Sequence, residues 1–145
     1  MTATTITPYL FYSGKCEEAL SYYQKSLGAK IEMVMRFNES PNPTPPGALQ
    51  EGFENKIMHA TFTIAGATIM ASDGDSDKPK FDGFRLALTV PTDAEAHRLF
   101  DGLAAGGQVQ VTLRQTFFSS CYGMVTDKFG VGWIVMVTQA NLVNQ

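Results

Sequence analysis

The chain is short of several things at once. It has two cysteines, Cys16 and Cys121, and two histidines, His59 and His97, in 145 residues. Two cysteines so far apart are no disulfide framework. Cys16 falls on the apolar face of an expected helix and reads as a small buried hydrophobe. Cys121 follows Ser119-Ser120 at an expected strand, and no base stands beside it in sequence, as a catalytic thiol would need. Charged residues are only 17% of the chain and the formal net charge is −3. Lys and Arg are scattered, so neither the charge nor its pattern suits a nucleic-acid backbone, and no such partner is expected. No apolar run approaches the roughly 20 residues that span a bilayer, so no membrane partner is expected either. No basic segment followed by an apolar stretch opens the chain at Met1 to Thr5, which makes the cytoplasm the expected location.

What is present is a core: 44% of the residues are hydrophobic, which suits one folded domain rather than a disordered chain. Its signals occur twice in the same order. Thr7 to Tyr12 reads as a strand, and Ser13 as an N-cap with Glu17 and Glu18 in the first helical turn. Cys16, Ala19, Leu20, Tyr23 and Leu27 recur at helical spacing, and Gly28 stops the helix. Ile31, Met33, Met35 and Phe37 then follow as a strand. In the second half, Arg85 to Val90 reads as a strand and Thr92 with Glu95 as a capping box. Ala96, Leu99, Phe100 and Leu103 form the helical stripe, Gly106-Gly107 ends it, and Val109, Val111 and Leu113 alternate. Each half closes with a hairpin. His59 to Ile64 turns through Ala65-Gly66 into Thr68 to Ala71. Tyr122 to Thr126 turns through Asp127 to Gly130 into Trp133 to Val137. The expectation is a single α+β domain of two βαβββ repeats, about 5–73 and 83–138.

The halves differ in one long loop, Asn38 to Lys56, with Pro41, Pro43, Pro45, Pro46 and Gly47. Its length leaves three readings open: a lid, a dimer contact, or disorder. Gly74 to Lys80 is a second polar loop. Its Asp73-Gly74-Asp75-Ser76-Asp77 stretch fails the calcium-loop pattern, with Lys78 at the glycine position and Phe84 at the glutamate position, and reads as a solvated turn.

The repeat resembles the vicinal-oxygen-chelate superfamily, which includes glyoxalase I, extradiol dioxygenases, and the fosfomycin- and bleomycin-resistance proteins. Within it the chain is similar to the PhnB-like branch, also labelled 3-demethylubiquinone-9 3-methyltransferase-like. The stretches that carry the resemblance span nearly the whole chain. They are Pro8-Tyr9-Leu10, Ala19-Leu20-Ser21-Tyr22-Tyr23, Leu27-Gly28-Ala29, His59-Ala60, Ile64-Ala65-Gly66, Ser72-Asp73, and Thr126-Asp127-Lys128-Phe129-Gly130-Val131-Gly132-Trp133. The resemblance implies two modules cupped into an incomplete barrel around a pocket, in a homodimer. It does not fix a function.

The resemblance also implies where metal ligands would stand. Those positions fall near Pro8, Met70, Arg85 and Ile134. Proline and isoleucine offer no donor, a thioether suits hard ions poorly, and Arg85 adds a positive charge. Neither a metal nor another cofactor is therefore expected, and no Gly-rich loop after a strand supports the methyltransferase label. His59 is open as a metal ligand, a catalytic base or a hydrogen-bonded structural histidine. His97 is expected on the solvated side of its helix. Arg85 either pairs with an acid such as Asp73 or recognises an anionic group on a small organic ligand. Arg85, Asp73, Trp133, Tyr9 and Phe117 are the candidate ligand contacts, with core packing as the alternative for the three aromatics. Three readings remain in view: a metal-independent small-molecule binder, a lyase or isomerase that uses His59 and Arg85, and a chain whose main product is a dimer interface around a collapsed pocket.

Overall fold

The computed structural model describes residues 3–42, 49–74 and 80–138. Pro43, Pro45, Pro46 and Gly47 of the long loop lie outside the described residues, as do Asp75, Ser76 and Asp77 of the acidic turn. The chain divides into two compact units, Met1–Pro79 and Lys80–Gln145, and each is a βαβββ module.

The first unit runs β1 (Tyr9–Phe11), α1 (Cys16–Leu27), β2 (Lys30–Arg36), a 3-10 turn at Phe37–Glu39, β3 (Ile57–Ile64) and β4 (Ala67–Ser72). Its sheet has the order β1-β4-β3-β2, with β1 parallel to β4 and the other pairs antiparallel. The helical stripe read from sequence is the buried one: Cys16, Ala19, Leu20, Tyr23 and Leu27. It packs on β3, where Tyr23 stacks over Phe62 with ring centroids 6.2 Å apart. Alternation along β3 buries Ala60, Phe62 and Ile64 and turns His59, Thr61 and Thr63 to the opposite face.

The start of α1 differs from expectation. Ser13 does not cap it. Ser13 and Gly14 take left-handed φ values of 51° and 101°, and the helix begins two residues later, after a Lys15 N-cap that makes no side-chain hydrogen bond. The cap comes from far along the chain. Asp73, directly after β4, accepts from the backbone N–H groups of Gly14 (2.7 Å) and Cys16 (2.8 Å) through Oδ1 and from Ile57 (3.0 Å) through Oδ2. A carboxylate binds helix N-terminal donors more strongly than a serine hydroxyl does, so the remote residue takes the position that the local one would fill.

The second unit repeats the plan with β5 (Leu86–Val90), α2 (Asp93–Ala104), β6 (Gln108–Arg114), β7 (Tyr122–Thr126) and β8 (Gly132–Val137), in the order β5-β8-β7-β6. Here the local cap does form, with Thr92 Oγ1 accepting from Glu95 N at 3.2 Å. α2 packs on β7 and β8. At the contact, Gly123 leaves space that a Cβ would close to 2.9 Å from the Phe100 ring. Trp133, Val135 and Val137 are buried, and Ile134 and Met136 take the alternate face.

A second buried carboxylate shapes the β7–β8 turn. Asp127 Oδ1 accepts from Phe129 N (2.9 Å) and Val131 N (3.1 Å), and Oδ2 accepts from the Trp133 indole N–H (2.9 Å). Removing such a group strands two buried donors and one part-buried donor, a buried one costing about 1–3 kcal/mol. Asp73→Ala is therefore expected to lower unfolding free energy by about 3 kcal/mol or more in urea denaturation. A loss under about 1 kcal/mol would contradict the role given to Asp73.

Candidate functional site

Arg85 precedes Leu86 at the start of β5, so alternation turns its side chain to the face of the sheet away from α2. There it lies across Gly132. A Cβ on that glycine would sit 3.1 Å from Arg85 Cγ and 3.2 Å from Nη1, so the bare backbone is what lets the guanidinium lie flat. Nη1 donates to the carbonyls of Val125 (3.2 Å) and Trp133 (3.3 Å), and Nη2 donates to Gln110 Oε1 (3.4 Å). Gln110 Oε1 also accepts from Thr126 Oγ1 at 3.1 Å. A guanidinium has five N–H donors, so Nε–H and one Nη2 hydrogen remain for a ligand. Among the described residues no carboxylate pairs with Arg85; the ion pairs there are Lys15–Glu18, Arg36–Glu17, Lys80–Asp82 and Arg98–Glu95. The half-buried cation is held by neutral groups, and its charge is uncompensated by them.

A cleft of about 470 Å³ opens over it, walled by Phe81, Asp82 and Phe84, with Arg85 and the bare Gly130 and Gly132 also lining it. That volume lies in the range of small-molecule pockets, about 300–1,000 Å³. Ile134 also lines the cleft, so two of the four positions where relatives would carry metal ligands meet here as a cation and an alkyl chain. In the first unit the other two positions are neighbours as well, since Met70 N donates to the Pro8 carbonyl at 2.9 Å. Among the described residues no cluster of three or more His, Cys, Asp or Glu side chains is placed to hold a metal ion. The four positions thus carry a proline, a thioether, a guanidinium and an alkyl chain.

His59 and Tyr9 come together on the open face of the first sheet. Tyr9 Oη and His59 Nδ1 share a hydrogen bond of 2.9 Å, and His59 Nε2 and Thr61 Oγ1 share one of 3.2 Å. Both ring nitrogens are engaged, so the imidazole relays between two hydroxyls, and its tautomer sets the direction. Burial pushes the Tyr9 phenol above its ordinary value, which keeps it a neutral hydroxyl at physiological pH. Its ring stacks on Phe11 at 4.9 Å and is 39% exposed.

Three expected ligand contacts lie elsewhere. Asp73 is 1% exposed and is occupied by backbone donors, as described above. Trp133 is 1% exposed and is tied to Asp127; its parity on β8 points it into the core. Phe117 is 91% exposed on the connection between β6 and β7, with its ring against Phe118. Conversely, the Val125 and Trp133 carbonyls and Gln110, which hold Arg85, and Gly132, which gives it room, were not foreseen, because their meeting depends on a strand order that alternation does not reveal. Phe81 and Phe84, close before Arg85 in a glycine-containing loop, were a readable signal.

Cys121 also has a neighbour that its sequence surroundings lack. α2 brings His97 Nε2 to 3.9 Å from its sulfur. The thiol is nonetheless pushed up, by burial first and by the charge of Asp93 second, which is the reverse of an activated nucleophile. Cys16 is raised further, by burial and then by Asp73 and Glu17.

A family model described as 3-demethylubiquinone-9 3-methyltransferase matches residues 4–136. The chain belongs to this family. The protein YjdN of Escherichia coli strain K12 is 38% identical over 140 residues, covering 92% of this chain and 95% of that protein. The crystal structure of protein PA1353 from Pseudomonas aeruginosa superimposes with a TM-score of 0.81 at 40% identity, covering 94% of this chain and 99% of that one. A glyoxalase-related enzyme from Fulvimarina pelagi shares the fold, with a TM-score of 0.62 at 16% identity over 94% of this chain and 89% of that one. The α+β fold of two βαβββ modules, inferred from the repeated order of sequence signals, is thereby shown, and it is the fold of the glyoxalase-related enzyme. Among the described residues no helix is long and apolar enough to cross a membrane.

The raised thiols predict slow chemistry. At pH 8 a disulfide reagent is expected to label both thiols of the native protein more slowly than those of the denatured chain, because burial disfavours the thiolate. In denaturant both thiols should react at the free rate. Labelling of the native protein at the denatured rate would contradict the inert reading of the thiols.

Proposed function

We propose that this protein is a metal-independent binder of a small organic anion, cytoplasmic and homodimeric, with Arg85 as the anchor. The observation that carries the reading is the half-buried guanidinium in a cleft, held by two carbonyls and an amide and paired with no carboxylate among the described residues. A cation in such surroundings is stabilised by a bound anion, and a prepositioned fork loses little freedom on binding it. Two donor-free positions, a thioether and a cation where relatives would hold metal support metal independence. Ile6 and Phe117, 98% and 91% exposed, are apolar groups that an interface with a second copy would cover. The methyl transfer in the family's description has no counterpart in the chemistry of this cleft.

A second reading, a lyase or isomerase, draws on the Tyr9–His59–Thr61 relay. A histidine hydrogen-bonded at both nitrogens has its ring orientation fixed, as a general base that takes a proton from a substrate requires. In that reading His59→Ala abolishes turnover and leaves ligand affinity intact.

The binder reading predicts that Arg85→Gln weakens the binding of small carboxylates by about tenfold to a hundredfold in calorimetry, the range for losing charge-assisted hydrogen bonds. It also predicts that Ni²⁺, Zn²⁺, Mn²⁺ and Fe²⁺ leave the melting temperature of metal-stripped protein unchanged. A rise of several degrees with one ion would show native-state binding and overturn metal independence.

A further inference from the structure

We infer that the Arg85 cleft takes an aromatic monocarboxylate, a reading that rests on Arg85 as an anion anchor and specifies the anion. Three features of the cleft select it. The first is the unused edge of the guanidinium. With Nη1 committed to two carbonyls and one Nη2 hydrogen to Gln110, the free Nε–H and Nη2–H suit the two oxygens of one carboxylate.

The second feature is apolar and flat. Phe84 directly precedes Arg85 and is 46% exposed, and Phe81 stands beside the bare backbone of Gly130, where a Cβ would be 3.7 Å from its ring. Both rings line the cleft with Gly130 and Gly132. Gly132 lets Arg85 lie flat and Gly130 lets the Phe81 ring come close, and phenyl rings favour an aromatic partner in offset or edge contact. A small hydrophilic anion such as acetate would leave these surfaces wet.

The third feature is Asp82. Its carboxylate lines the same cleft, and its only ion pair among the described residues is with Lys80 at 3.8 Å, with side chains 75% and 82% exposed. An exposed pair of that kind neutralises little. A phosphate dianion would place a second negative charge near Asp82 with one guanidinium to offset both, whereas a monocarboxylate brings a single charge.

The test is a titration of the full chain at fixed ionic strength with acetate, benzoate, 2-naphthoate, inorganic phosphate and the neutral 2-naphthamide. Affinity is expected to rise about tenfold or more from acetate to 2-naphthoate, as apolar area is buried. Phosphate and 2-naphthamide should bind at least about tenfold more weakly than 2-naphthoate. Phe84→Ala, at an exposed position, should remove most of the gain of 2-naphthoate over acetate without changing the melting temperature. If 2-naphthoate binds no better than acetate, or if phosphate binds best, the aromatic inference is overturned while the anion anchor stands. If none of these anions binds, or if Arg85→Gln binds them as well as the parent chain, both fall.

Discussion

A buried carboxylate bonded to three N–H donors is the fixed point of each unit. In the first, Asp73 gathers the turn before α1 and the start of β3 onto the end of β4. In the second, Asp127 holds the Phe129 and Val131 amides and the Trp133 indole. Burying a charge is costly unless it is fully hydrogen-bonded, and among the described residues no buried side-chain oxygen or nitrogen lacks a partner. The Asp127 interaction reaches the cleft directly. It sets the path of the chain through Gly130 and Gly132 and orients Trp133, whose carbonyl receives Arg85.

The cleft follows from what the backbone omits there. With no Cβ at Gly132, the arginine lies flat against the sheet and spends its inner donors on carbonyls. A guanidinium fixed in this way retains an outward edge and pays little entropy when an anion meets it. A lysine could supply the charge but not the fixed fork. The Tyr9–His59–Thr61 relay in the first unit is a different kind of site. It joins two hydroxyls through an imidazole, so it suits polar recognition.

Much of the fold was legible because its signals are local. Helical spacing identified both buried stripes, and the Ala65-Gly66 and Asp127-to-Gly130 turns placed both hairpins to within a residue or two. The start of α1 was misplaced because Asp73, 57 residues beyond Cys16, supplies the cap. In the candidate site, Arg85 was readable as a charge on an expected inward strand position. Its holders were not. Gln110 reaches it only because β6, β7, β8 and β5 lie side by side, and a register shift in β6 between Val109 and Val111 disturbs the alternation at Gln110. Trp133 and Asp73 looked like ligand contacts because their types suit that role; parity and hydrogen bonding assign them to the framework.

The central claim is that Arg85, half-buried in a cleft and fixed by its inner donors, binds a carboxylate in preference to the exposed Arg98 and Arg114 and to Arg36, which is paired with Glu17. The chain has four arginines, Arg36, Arg85, Arg98 and Arg114, so their Nε–H groups can be followed one by one in a nitrogen–proton NMR titration with benzoate. The Arg85 signal is expected to shift and to become protected from exchange with water as benzoate is added, while the other three stay in place. Equal, small shifts at all four arginines, or a specific shift at any arginine other than Arg85, would contradict the account.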